Sequence, residues 1–164
     1  MPKTYRLERA QFVPRPRSEV FPFFADAGNL ESITPDFVGF RILTPRPIAM
    51  GAGTIIDYQI KLFGVPLNWR TEIESFDPPE RFVDVQRRGP YRLWRHTHRF
   101  LEQPGGTLLV DEVDYQLPAG PLGPLAHALF VRRSLDRIFA HRQAMIARLF
   151  GEPASAAAKP VVTG

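Results

Sequence analysis

The residues best suited to chemistry lie in one stretch, Trp94-Arg95-His96-Thr97-His98-Arg99-Phe100. Two histidines separated by one residue, in a segment of strand character, put both imidazoles on the same side. A neutral imidazole can ligate a metal, and near neutral pH it can carry a proton. A carboxylate beside it would fix its tautomer. Asp84 in the preceding apolar stretch and Asp111 in the following one are the candidates. His96 and His98 with Asp84 or Asp111 also form a donor set for a divalent cation. The chain has no thiolate to add, and Arg142 is expected close by, so the expectation is that no metal and no cofactor is bound. No Gly-x-Ser-x-Gly elbow, phosphate-binding loop or dinucleotide fingerprint occurs. Ser18, Ser32, Ser75 and Ser134 have no base near them in sequence.

Positioning these groups takes a sheet and a helix. Residues 4–13, 37–43, 54–62, 67–76, 81–88, 91–101 and 107–117 read as strands, separated by turns such as Met50 to Gly53, Gly89-Pro90 and Gln103 to Gly106. Short connections between neighbours predict an antiparallel meander. Ser18 reads as the N-cap of a short helix, Glu19 to Ala25, with Pro22 in its first turn, and Asp26 caps a second one ending at Ser32. From Leu122 to Phe150 no breaker follows Gly123 and Pro124, which predicts a helix of roughly 28 residues and about 40 Å. The expected fold class is α+β: a curved antiparallel sheet of about seven strands wrapped around a long C-terminal helix, with two short helices after the first strand. A mostly apolar cavity is expected between sheet and helix.

Strand parity sorts the side chains. Arg95 and Arg99 mark the wet face of residues 91–101, so Trp94, His96, His98 and Phe100 face the helix. Glu112, Asp114 and Gln116 likewise turn Asp111, Val113 and Tyr115 inward, and Arg70, Glu72 and Glu74 turn Trp69, Thr71 and Ile73 inward. Residues 81–88 stay ambiguous: Phe82, Asp84 and Gln86 form one set, Val83, Val85 and Arg87 the other. On the helix, Ala128, Val131, Leu135, Ile138, Phe139, Ile146 and Leu149 share a stripe, and Arg142 lies within it. An inward arginine either reaches Asp111 or Asp84 or snorkels to the sheet's edge. His127, Arg132, Arg133, Arg137 and His141 are expected on a solvated helix face rather than at a nucleic-acid interface.

Of 164 residues 44% are hydrophobic, enough for one cored domain, expected over residues 1–151 with a flexible tail at 152–164. The net charge of +4 comes from arginines spread along the chain, which argues against a nucleic-acid patch. The absence of cysteine removes disulfides and thiolate chemistry and fits a reducing cytoplasm, the expected location. The first residues, MPKTYRLERAQ, show no apolar core of a signal peptide, and no run of about 18 apolar residues suggests a membrane span.

Several of these features together resemble the SRPBCC (START and birch-pollen-allergen-like) superfamily. They are Val13-Pro14-Arg15-Pro16 followed by Glu19-Val20-Phe21-Pro22-Phe23-Phe24, then Asn29-Leu30 and Thr34-Pro35. Phe82 to Gln86, Gly89-Pro90-Tyr91, Trp94, His96, His98 and Phe100 follow, and Gly106-Thr107, Asp111, Val113, Tyr115, Leu117-Pro118 and Gly120 complete the run. The chain is most similar to the polyketide cyclase/dehydrase-like or coenzyme Q-binding-like branch. The resemblance implies a helix-grip fold and a cavity for a small hydrophobic molecule, and it implies no particular reaction. The expected function is binding of a lipid, polyketide or quinone-like ligand. Trp69, Trp94, Phe100, Tyr115 and Phe139 would give the pocket its shape; Asp84, Gln86, His96, His98, Asp111 and Arg142 would orient a polar end. The alternatives are a cyclase or dehydratase using His96 or His98 with Asp111, and a packed core whose polar groups satisfy one another.

Overall fold

A computed structural model describes residues 2–62, 64–118, 120 and 123–153. The first strand, β1 (Tyr5–Val13), leads into helices α1 (Arg17–Phe24) and α2 (Asn29–Ser32) and a 3₁₀ turn at Asp36–Val38. Six strands follow: β2 (Arg41–Ile42), β3 (Ile55–Leu62), β4 (Val65–Asp77), β5 (Arg81–Arg88), β6 (Leu93–Gln103) and β7 (Gly106–Gln116). The chain ends in a rod of three parts, α3 (Gly123–Ala126), a π-helical turn (His127–Val131) and α4 (Arg132–Phe150).

All seven strands form one sheet in the order β1-β7-β6-β5-β4-β3-β2, every pair antiparallel. The meander runs from β2 to β7, and β1 closes it by pairing with β7. Gly106 permits that closure: a Cβ there would lie 2.1 Å from the Val13 carbonyl. Helix α4 buries Leu135, Phe139, Arg142 and Ile146 against the inner face.

Two apolar clusters bracket the middle of this interface. Val13, Val20, Phe21, Phe82, Phe100, Leu109 and Ile146 form one. Leu7, Val113, Tyr115, Leu135 and Phe139 form the other. Between Leu109 and Val113 on β7 comes Asp111. Between Ile146 and Phe139 on α4 comes Arg142. On β6, His98 and His96 continue inward-facing parity from Phe100, and on β5 Asp84 continues it from Phe82. The ionisable groups therefore share one layer across four elements, with apolar packing on either side.

Several local expectations are corrected. Pro16, not Ser18, is the N-cap residue of α1, with no side-chain cap, and Pro22 lies inside the helix. The strand expected at 37–43 is a 3₁₀ turn and two paired residues, because Gly39 takes a left-handed conformation (φ 56°) that ends the turn and redirects the chain. Leu149 is 51% exposed, since the last turn overruns the inner face, and Phe150 packs against the first cluster instead.

His127 is not on a solvated face. Its ring stacks on Tyr5 at 3.6 Å, and the Tyr115 hydroxyl lies 2.6 Å from its Nε2. A π turn holds one residue more than the α repeat and so rotates everything upstream of it. That rotation brings His127 to the sheet. Residue 122, the expected helix start, and 154–164 of the expected tail lie outside the described residues. Among the described residues no helix is long and apolar enough to cross a membrane.

Candidate functional site

A cavity of about 230 Å³ lies between the inner face, α4 and the α1–α2 segment. Of the residues expected at a binding site, Trp69, Asp84, Trp94, His96, His98, Phe139 and Arg142 line it. Asp111 stands behind the histidines. Three others lie elsewhere. Gln86 is bonded to the Tyr91 backbone, its Nε2 donating to the carbonyl at 2.6 Å and its Oε1 accepting the N–H at 3.2 Å. Phe100 packs edge-on to Phe21, 5.0 Å between centroids. Tyr115 is held by His127. Each is drawn off by a closer partner.

The polar layer is built from strand register. Asp84 lies directly opposite His96 across β5 and β6, and Asp111 directly opposite His98 across β6 and β7. The short contacts run diagonally. His98 Nε2 is 2.6 Å from Asp84 Oδ2, and His96 Nε2 is 2.8 Å from Asp111 Oδ1. The direct pairs are longer: His96 Nδ1 to Asp84 Oδ2 is 3.8 Å, and His98 Nδ1 to Asp111 Oδ1 is 3.4 Å, without hydrogen-bond geometry. The two imidazoles stack 3.6 Å apart at 28°. Each carboxylate thus sees one nitrogen from each ring. Arg142 Nη2 donates to Asp111 Oδ1 at 3.4 Å, and its guanidinium lies over Phe24 and Phe139. Of the two readings for Arg142, the structure shows the ion pair.

Burial opposes charge on every member, and the neighbours decide the outcome. At Asp84 burial raises the carboxyl, yet the His98 hydrogen bond and the nearby cations hold it below its ordinary value. At Asp111 burial is outweighed first by Arg142 and then by the histidines, and the group is held well below the usual range. Burial, then the neighbouring His98, pushes His96 down in spite of Asp111. At His98 burial is overcome by the carboxylates of Asp111 and Asp84 on either side, which leaves it raised. The two shifts run in opposite directions, so a proton in this layer is held on His98 in preference to His96.

Sequence reasoning missed the opposite wall. Ile56, Tyr58 and Ile60 of β3 line the cavity with Phe24, Leu30 and Phe40. Strand parity could have found the first three, because Asp57, Gln59 and Lys61 alternate with them. Trp69 Nε1 donates to Thr71 Oγ1 at 3.1 Å, and that hydroxyl donates to the Tyr58 oxygen at 3.3 Å. Burial, reinforced by the charge of Asp84, raises Tyr58 well above the usual phenol value. It stays protonated, its oxygen accepting from Thr71. The Tyr58 and Trp69 rings stack at 5.6 Å, making a flat aromatic surface.

Residues 13–142 match the family described as polyketide cyclase / dehydrase and lipid transport. No curated protein sequence matches. Solved structures share the fold at low identity. Protein TTHA0849 from Thermus thermophilus is 17% identical with a TM-score of 0.68, over 88% of this chain and 99% of its own. The Zhui aromatase/cyclase from a Streptomyces species is 18% identical with a TM-score of 0.64, over 90% and 96%. The major latex-like protein 151 of Panax ginseng is 12% identical with a TM-score of 0.64, over 90% and 97%.

Proposed function

Because the chain belongs to the polyketide cyclase/dehydrase and lipid transport family of the SRPBCC superfamily, we propose that it binds a small hydrophobic or aromatic molecule in the cavity between its sheet and α4. One observation carries this reading: an internal space walled by rings and aliphatic side chains, with its polar groups gathered in one layer. Such a space removes an apolar body from water and leaves a few groups to orient a polar end. Trp69, Trp94, Tyr58 and Phe139 supply the flat contact surfaces. Asp84, His96, His98 and Arg142 receive the polar end, and Tyr58 offers a second donor.

Native mass spectrometry of the purified full chain tests this directly, together with displacement of an apolar naphthalene-sulfonate dye. A co-purifying apolar compound, or saturable dye binding that Trp94→Ala weakens by about tenfold or more, is the expected result; loss of one aromatic contact surface of this size has that effect. Dye binding that is unsaturable, or unchanged in Trp94→Ala and in a Phe139→Ala variant that stays folded, would dismiss the reading.

The pairing of His96, on the cavity wall, with Asp111 behind it favours a second reading, a reaction of the cyclase or dehydratase kind in which the imidazole moves a proton. A His96→Gln variant that retains binding but loses turnover of an aromatic polyketide-like substrate separates this from carriage alone.

A further inference from the structure

The polar layer has the organisation of a metal centre as well as that of a hydrogen-bonding patch. Among the described residues, Asp84, His96 and His98 bring three ligand atoms within 4.8 Å of one another. The atoms are identifiable. His96 Nδ1 and His98 Nε2 both turn to Asp84 Oδ2, at 3.8 and 2.6 Å. All three side chains line the cavity, whereas Asp111 does not. The opposite nitrogens, His96 Nε2 and His98 Nδ1, both turn to Asp111 Oδ1.

In that division one edge of each ring turns to Asp84 and the cavity, where a metal would take the place of the His98 Nε2 proton, and the other faces Asp111. Histidine ligands ordinarily present their remote N–H to a carboxylate, which fixes the tautomer and the ring orientation. Asp111 is placed to do this for both rings at once, and Arg142 pairs with Asp111 rather than with the ligand set. His98 Nδ1, buried and without a hydrogen bond, gains a role as the N–H that faces Asp111 when Nε2 ligates.

We propose that Asp84, His96 and His98 form a binding site for a first-row divalent cation of the zinc or iron(II) class on the cavity wall. Two imidazoles and one carboxylate suit these borderline ions and are too few oxygens for calcium or magnesium. Ligand atoms about 2.0–2.1 Å from such an ion stand roughly 3.3 Å apart when the geometry is tetrahedral. Asp84 Oδ2 therefore has to open from His98 by under about 1 Å while its 3.8 Å separation from His96 closes slightly, and the two ring nitrogens, within 4.8 Å of each other, have to settle at the same spacing. The ion occupies the place now spanned by the Asp84–His98 hydrogen bond. Its remaining coordination positions face the cavity, where an oxygen of the bound molecule or water completes the shell. The site goes beyond the binding reading and is tested without any organic ligand.

Full-length protein stripped with a chelator is titrated with Co(II), followed by visible ligand-field absorption, and with Zn(II), followed by calorimetry. One equivalent per chain is expected, with the intense bands of four- or five-coordinate cobalt. Asp84→Asn and His98→Gln should weaken binding at least 100-fold, and Asp111→Asn about 10- to 100-fold, the effect of losing an outer carboxylate. His141→Gln, on α4 away from the cavity lining, should change nothing. Absence of saturable binding, or an affinity indifferent to Asp84→Asn, overturns the proposal. So does binding abolished by His141→Gln. Should the layer variants fail to fold, proton spectra of the wild-type Co(II) protein decide: two exchangeable, hyperfine-shifted imidazole N–H signals support the site, and none or one refutes it.

Discussion

On the outer face of the sheet, Arg6–Asp114, Arg70–Asp57 and Arg87–Glu72 bridge neighbouring strands, and Arg95–Glu74 spans β5 from β6 to β4, all at 2.6–2.7 Å with one or both side chains well exposed. On the inner face, Asp84, Asp111, His96, His98 and Arg142 form contacts of 2.6–3.4 Å, yet no side chain among them is more than 17% exposed. Water solvates the outer charges in the folded and unfolded chain alike, so each pair adds little. The inner charges lose that solvation and stay together only because each compensates another. Under the proposed function, a layer held at that cost inside an apolar cavity is where the polar end of a ligand would be received.

The largest effect should come from Arg142→Met. It leaves Asp111 buried beside the histidines without its guanidinium, and unfolding in urea should show a loss of about 3–5 kcal/mol. Arg142→Met combined with Asp111→Asn should recover part of that loss. If the double variant is no more stable than Arg142→Met, the two do not compensate each other. Ile146→Val probes the apolar packing beside the layer, and its expected loss in the same assay is about 1 kcal/mol.

A smaller, pH-dependent effect belongs to His127. Burial, then the charges of Arg132 and Lys3, lowers its imidazole below the ordinary value. Between the two values the unfolded chain binds a proton that the folded chain does not, so stability rises with pH through this window. The contribution is present above about pH 6.5 and is lost as the pH falls below it. The stability difference between wild type and His127→Phe, followed against pH, should shrink on acidification; a constant difference would show that the imidazole does not titrate there. The smallest change is expected for Arg95→Ala on the outer face, about 0.5 kcal/mol or less.

The contrast between the two faces also governs what was legible in the sequence. Strands with charges on one parity declare their orientation. Arg95 and Arg99 expose the facing of Trp94, His96 and His98, and Glu112 and Asp114 that of Asp111. Strand β5 hides its orientation because Val83 and Val85 are buried on the outer parity while Phe82 is buried on the inner. The diagonal contacts were out of reach, since they depend on the register of three strands at once. So were Phe24, Leu30 and Phe40 of the far wall, which come from short helices and a loop rather than from a periodic pattern.

The π-helical turn at His127–Val131 means that the two ends of the C-terminal rod are indexed separately. Excising one residue from it would restore a uniform repeat and swing α3 by about 100° while α4 kept its grip on the sheet. His127 would then leave Tyr5 and Tyr115. Length changes of a single residue at this point act as a rotary adjustment of the rod's leading end, and they leave Arg142 and Phe139 where they are.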